Sequence, residues 1–455
     1  MTKKTRKTLF LFFIIVFLII TPLICLYAAG YQIGKNFSIQ KTGILVIKTK
    51  PAEASVFLEN KTQKNLVSDL ILQTEKKSYT TPSRIKNLLP GKYDIKLEKN
   101  GYWPWEKQLV IGSGQSVYIE NVNLFKNNLP VLVSSQQYTD LLPSPNGKMI
   151  LAIYSEGADV INLNNDTIKK IDIATSSSKI VLTKNNCSWS PSNDAVMLGS
   201  YIYSLTSGER AKNIDKLSNN NTAKIKWNLS DKDKIAFASQ SSLYYSDLNS
   251  LSKKLIIKNK NIIDFLARGN NLFILYQEND AVILSVWGIS ENKSIRTISL
   301  PKSNYAFINS DHNLLNILDK THNTLYLIDP LAEIKTVIEI INGVSQARWI
   351  NNDKLIFAND YEIWIYNAKN YSKFLLTRIS ERITDTLPFV NENYLFYATE
   401  RNINVMEMDE RDKRNVIKLV DLETINRPYL NNNGSALYFY SKIGGGAGIY
   451  KLAIQ

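Results

Sequence analysis

Few side chains in this 455-residue chain are of types that do chemistry at neutral pH. His312 and His322 are the two histidines, and Cys25 and Cys187 the two cysteines. A zinc site needs about four nitrogen, sulfur or carboxylate ligands, and a hydrolytic triad needs a histidine between nucleophile and acid. Residues this sparse make either hard to assemble. Cys25 lies in an apolar N-terminal run and Cys187 far downstream, which argues against an intramolecular disulfide and gives no metal-site spacing. "KIGGGAGIY", Lys442 to Tyr450, is glycine-rich but lacks the Lys-Ser/Thr ending of a phosphate loop, so it reads as a hairpin tip. "SDKDK" at Ser230 alternates acids but is too short and lysine-rich to hold Ca²⁺, so it reads as a turn. The Asn-X-Ser/Thr sequons at Asn60, Asn165, Asn228 and Asn292 follow from an Asn- and Ser-rich composition. One aromatic group has binding chemistry. Tyr102, Trp103 and Trp105 can stack on sugar rings or anchor a partner. The competing reading is that they plug a small core or meet a neighbouring domain. No catalytic, cofactor-binding or metal-binding residue is assigned, and no cofactor is expected.

The elements that would position these residues follow from length and patterning. The chain exceeds what one ordinary core holds, so two or more domains are expected. Short apolar runs and abundant Tyr, Ile, Asn and Ser point to an all-β fold. The net charge of +14 is uneven: residues 1–40 carry five bases and no acid, 41–125 thirteen bases and eight acids, and the remainder 37 and 33. The basic excess lies near the N-terminal end, where anionic headgroups attract it, and marks no nucleic-acid partner. After Lys3, Lys4, Arg6 and Lys7, Leu9 to Ala29 is uncharged and long enough to span a bilayer. We expect a cytoplasmic head (1–8), a transmembrane helix (9–29) anchoring the chain in the lipid bilayer, a juxtamembrane linker (30–40) and everything beyond outside the cell. Pro22 is tolerable within such a span. A cleaved signal is the alternative, although Leu26 and Tyr27 occupy positions where cleavage sites carry small residues. Ile24 before Cys25 argues against lipidation.

Residues 41–125 read as strands. Tyr93, Ile95 and Leu97 alternate with Asp94, Lys96 and Glu98, between a Pro90-Gly91 turn and an Asn100-Gly101 hairpin signal. Leu109, Ile111, Val117 and Ile119 continue the alternation. A polar insertion follows Asn60. The ordered series Gly43-Ile44-Leu45-Val46, Pro51-Ala52-Glu53-Ala54, Val56-Phe57-Leu58, Thr81-Pro82, Leu89-Pro90-Gly91-Lys92-Tyr93 and Gly101-Tyr102 resembles the PEGA domain, a small all-β module of prokaryotic surface proteins. The name-giving tetrapeptide reads Pro-Ala-Glu-Ala here. The resemblance implies a non-catalytic, extracytoplasmic β-sandwich of the cell envelope and carries no catalytic residues with it.

Residues 126–455 repeat. "CSWSPSNDAVMLGSYIYSL", "IKWNLSDKDKIAFASQSSLYYSDL" and "ARWINNDKLIFANDYEIWIYNA" share an aromatic, an Asn/Asp/Ser turn, two strands and often a basic-and-aliphatic third strand. The anchors Leu142, Trp189, Trp227, Phe265, Phe307, Trp349, Phe389 and Tyr429 have a mean spacing of 41 residues, the period of a four-stranded propeller blade. Eight blades are expected, with seven as the alternative because the units at Phe265 and Phe307 are degenerate. The last unit has no room for an outer strand, and Leu129 to Ser134 could supply it. "WSPSND" and "PSPNGK" are similar to blade signatures of WD40-like and TolB-like propellers.

Together these features are similar to membrane-anchored PEGA-containing prokaryotic surface proteins. They imply a single-pass, non-catalytic binding or scaffold protein whose partner is an envelope protein or glycan. Two alternatives stand beside this. One is a propeller hydrolase or lyase, which carboxylates converging at the channel mouth would favour and an Asn-, Ser- and aliphatic-lined channel would oppose. The other is an ectodomain signalling through a membrane partner, since the eight-residue head is too short for a kinase or receiver.

Overall fold

The computed structural model describes residues 3–33, 38–60, 79–171, 173, 181–206, 211–218, 224–308 and 312–455. The insertion at 61–78 and part of the linker, 34–37, lie outside the described residues. A helix spans Lys3–Ala28 over 26 residues. At 1.5 Å per residue it is about 39 Å long, against a hydrocarbon core of about 30 Å. None of its residues is buried, and its length and composition are enough to cross a membrane.

The chain divides into two compact units. The first takes Met1–Leu129, Val405–Leu419 and Ala453–Gln455. Its body is two facing sheets. One orders Ser83–Leu88, Gly43–Lys50 and Ser116–Asn123, with the last two parallel. The other orders Tyr79–Thr80, Ser55–Asn60, Gly91–Glu98 and Trp105–Ile111. The alternation sends Tyr93, Ile95 and Leu97 inward, onto Leu45, Ile47, Val56, Trp105, Leu109, Ile111 and Ile119. The hairpin expected at Asn100-Gly101 joins the last two strands, Tyr93 opposite Leu109 and Leu97 opposite Trp105. Gly43 lies directly against Ile111 of the facing sheet: a Cβ there would stand 2.4 Å from the Ile111 side chain. The segment Val405–Leu419 packs on strand Trp105–Ile111 through a buried ionic knot. Lys107 Nζ lies 3.1 Å from Glu407 and 3.5 Å from Asp409 and is itself sealed from solvent. A lysine buried this way is held only because carboxylates meet it.

The second unit takes Pro130–Asn404 and Val420–Leu452. Among the described residues the repeats fold as eight four-stranded antiparallel blades, the third and fourth joined in one continuous sheet. Their innermost strands are Asp140–Pro143, Cys187–Trp189, Lys224–Asn228, Asn261–Arg268, Tyr305–Ile308, Gln346–Trp349, Ile383–Pro388 and Ile425–Leu430. Seven blades run in sequence order from inside out. The eighth takes its outer strand from Val131–Ser134, which pairs with Gly446–Ala453 and closes the ring as expected. This leaves no long unpaired edge at the seam. The third and fourth blades touch by one parallel pairing, Asn228 with Ala267. The fourth blade, at Phe265, is not degenerate in structure. It has strands of eight, eight, eight and nine residues. Its inner turn departs from the repeat: Gly269-Asn270, with Gly269 at φ +56°, replaces the longer Asn/Asp/Ser turn.

Those inner turns join the blades in a belt. Asn146 N donates to Asn193 Oδ1, Lys232 meets Asp194, Asn228 Nδ2 donates to Gly269 O and Arg268 donates to His312 O. His312 Nε2 meets Asn352 O, Asn351 Nδ2 donates to Glu392 and Asn432 N donates to Gly147 O. At the remaining seam Gly434, φ +70°, lets the Phe389 ring pass; a Cβ would stand 2.7 Å from it. On the rim, the basic outer strands reach into the next blade: Lys169 to Leu205 O, Lys254 to Ile289 O and Arg296 to Ala332 O. Each such bond contributes about 0.5–1.5 kcal/mol, more where charged, so the repeated Asn, Asp and Lys positions hold the ring together.

Candidate functional site

The eight anchors lie on or directly after the inner strands. Several hydrogen-bond across a seam: Trp189 Nε1 to Leu142 O, Trp227 Nε1 to Ser188 Oγ, Trp349 Nε1 to Asn316 Oδ1 and Tyr429 Oη to Leu141 O. Being fixed this way, they orient the residues next to them. Lys226, Asp264 and Arg348 directly precede Trp227, Phe265 and Trp349, and Asp140 and Arg427 stand two before Leu142 and Tyr429. These charges, with Lys224 and Asp385, meet between neighbouring inner strands.

Asp264 is 2% exposed. Its Oδ1 accepts from Lys224 and Lys226, each at 2.7 Å, and from Phe265 N; its Oδ2 accepts from Phe307 N on the next blade. Burial pushes this carboxyl up, but the ammonium groups of Lys226 and Lys224 outweigh it and hold it below the usual range. Burial, with the neighbouring lysine charges, lowers Lys226 in spite of Asp264. Across the ring, Asp140 pairs with Arg427, and Asp385 lies 3.6 Å from Arg348. Burial raises the Asp385 carboxyl, opposed by Arg348, the Thr386 N–H and Arg427. Tyr429 beside them is pushed up to about 12 by burial and the Asp385 charge. Among the described residues six of the eight inner strands thus carry charge, while Cys187–Trp189 and Tyr305–Ile308 carry none, and each of these three carboxylates faces a base from an adjacent blade.

Two clefts open on the face built by the loops between second and third strands and by the blade-to-blade connections. The smaller, about 360 Å³, includes Asp385, Glu400, Thr424 and Arg427. The larger, about 630 Å³, includes Asn323, Gly343, Asn359, Tyr361, Glu362 and Arg378. Tyr361 is 50% exposed. The polar groups beside it are fixed: Asn359 Oδ1 accepts from the Tyr361 and Glu362 N–H groups, and Glu362 accepts from Asn359 Nδ2, Trp364 Nε1 and Arg378 Nε. The Arg378 guanidinium, then the Trp364 and Asn359 donors, hold the Glu362 carboxyl below its ordinary value. Gly343 leaves open space where a side chain would stand.

The aromatic group singled out in the sequence does not form one exposed platform. Trp105 is 2% exposed, packs in the core of the first unit and donates to Glu407 at 3.3 Å. Tyr102 packs against that core, and Trp103 is half-buried, with its backbone N–H donating to Phe125 O. Period-two alternation accounts for Trp105: it begins a strand whose alternate positions face inward. A Ser303, Asp319 and His322 group exists that sequence spacing did not suggest. Asp319 meets Ser303 directly, and both approach His322 Nδ1, at 2.8 and 3.4 Å. A triad needs its acid and nucleophile on opposite ring nitrogens, so this group is a turn cap. Among the described residues no cluster of His, Cys, Asp and Glu could hold a metal ion.

No protein-family model matches the sequence, and no curated protein does. Among solved structures, the Dos1 propeller aligns at 13% identity over 73% of this chain and 96% of its own, with a TM-score of 0.51. The fold is a β-propeller. A eukaryotic initiation factor structure aligns at 11% identity, 70% and 86% coverage and TM-score 0.49. The computationally designed Ika8 protein aligns at 10% identity, 70% and 97% coverage and TM-score 0.47. At these identities the likeness concerns the propeller fold alone.

Proposed function

We propose that this chain is a single-pass, membrane-anchored binding protein of a prokaryotic cell envelope, with a short basic head in the cytoplasm and both β units outside. The first unit serves as a PEGA-like module, and the propeller face carries the binding site. The ligand we propose is an envelope glycan seated in the Tyr361 cleft. The observation that carries this is the half-exposed Tyr361 ring beside an amide, a carboxylate and a guanidinium already locked in place. Sugars are bound by this combination of an aromatic face with pre-oriented planar polar groups. A binding role is favoured over hydrolysis because the inner-strand carboxylates are engaged by Lys226, Arg348 and Arg427 rather than left to act as acid and base.

The test is co-sedimentation of the full chain, in detergent, with isolated cell-wall sacculi. Saturable binding is expected, weakened at least about tenfold in Tyr361→Ala, the loss of one good stacking contact. Absent binding, or equal binding by the variant, overturns the glycan reading.

A further inference from the structure

We propose that the Tyr361 cleft, taken as the glycan site proposed above, selects a glycan that carries acetamido groups, and that the side-chain amide of Asn323 reads them. Backbone bonds bring the lining segments together. Val344 N donates to Asn323 O at 2.6 Å and Ser345 N to Ala358 O at 2.8 Å, so the turn holding Asn323 and the Gly343 connection adjoin the turn from Asn359 to Glu362. Ile379 N donates to Tyr361 O at 2.9 Å and closes the other side. The cleft they build, about 630 Å³, falls within the range of about 300–1,000 Å³ in which small ligands sit.

The lining separates into groups already paired and groups left for a ligand. Glu362 is paired with Arg378 at 2.5 Å, and Asp360 with Arg382 at 3.4 Å. Two carboxylates against two guanidinium groups leave no net charge, which favours a neutral sugar over an acidic one. The Asn359 amide is taken up by the Tyr361 and Glu362 N–H groups and the Glu362 carboxylate, and Ser345 Oγ donates to Ala358 O. Asn323 differs. Its side chain is exposed and, among the described residues, has no hydrogen-bond partner. A primary amide offers a carbonyl oxygen and N–H donors side by side. An acetamido group presents the complementary N–H and C=O, whereas a hydroxyl puts donor and acceptor on one atom and cannot meet both ends in line. The acetamido methyl has the Ile379 side chain and the open space at Gly343 to pack into. The half-exposed Tyr361 ring supplies the face on which the sugar lies.

The probes are tri-N-acetylchitotriose and cellotriose, which share backbone and linkage and differ by an acetamido group against a hydroxyl on each ring. Isothermal titration uses the full chain in a detergent without a sugar headgroup. The acetylated trimer is expected to bind saturably and cellotriose at least about tenfold more weakly, the cost of an unmet amide pairing. Asn323→Gly removes the amide and suits the backbone there, at φ +51°. It should lower the acetylated trimer to the level of cellotriose and leave cellotriose unchanged, while Tyr361→Ala should weaken both. Equal binding of the two trimers, or an equal loss of both in Asn323→Gly, overturns the acetamido selection; the glycan site itself then stands if Tyr361→Ala still weakens both. Binding of neither trimer also overturns the selection, and co-sedimentation with sacculi then decides the glycan site on its own.

Discussion

Replacing Asp264 by alanine removes the acceptor on which three blades converge. Two lysines at 2.7 Å lose their counter-charge, and the backbone N–H groups of Phe265 and Phe307 lose their partner. Removing one member of a buried ion pair costs about 3–5 kcal/mol. Lys224, whose side chain is 46% exposed, recovers water; Lys226, at 21%, recovers much less. We therefore expect Asp264→Ala to cost about 4 kcal/mol, a large share of the 5–15 kcal/mol typical of a folded protein. Urea unfolding of the full chain in micelles, followed by the fluorescence of Trp189, Trp227 and Trp349, measures it. Adding Lys226→Met should recover at least about 1 kcal/mol, because the stranded cation is gone. The dependence on pH has a fixed sign. The Asp264 carboxyl is held below its unfolded value, so its contribution is complete above about pH 4 and is lost as pH falls through the folded value. The difference between wild type and Asp264→Asn should shrink accordingly in acid. A loss under about 1 kcal/mol for Asp264→Ala, or no recovery on adding Lys226→Met, would refute the argument that this ionic knot joins the blades.

Two further outcomes follow from burial. Trp105→Ala should cost about 3–5 kcal/mol and strip hydrogen-exchange protection from Tyr93, Ile95 and Leu97, which share its core; protection retained at those amides would contradict a core role for the indole. Burial pushes the Cys187 thiol up to about 12, so iodoacetamide at pH 8 should leave it unmodified until urea unfolds the chain.

The fold was legible wherever burial imposes a period. Tyr93, Ile95 and Leu97 point inward because a half-buried strand allows nothing else, and the recurring aromatics mark inner strands because every blade wedges a large side chain near its axis. Closure by Val131–Ser134 could be inferred because an unpaired last strand leaves hydrogen-bonding groups open. The fourth blade was harder to read, since its Gly269-Asn270 turn does the work of a longer Asn/Asp turn with different residues.

The candidate site was much less legible. Lys226, Asp264 and Arg348 carry a signal, a charge directly before an anchor, but its meaning depends on which blades become neighbours. Tyr361 carries none: an aromatic after Asn359-Asp360 reads as an ordinary turn until the Gly343 connection and Arg378 are seen beside it. Conversely, Trp105 could be read as a ligand platform or as a core plug, because sequence shows residue type and not the face it takes.

The central claim is that the propeller is displayed outside the cell on a membrane anchor. Ile334, 98% exposed, gives a handle for testing it. With Cys25 and Cys187 replaced by serine, Ile334→Cys in intact cells should react with a membrane-impermeant maleimide as fully as in lysed cells. Labelling only after lysis would place the propeller in the cytoplasm and contradict the account.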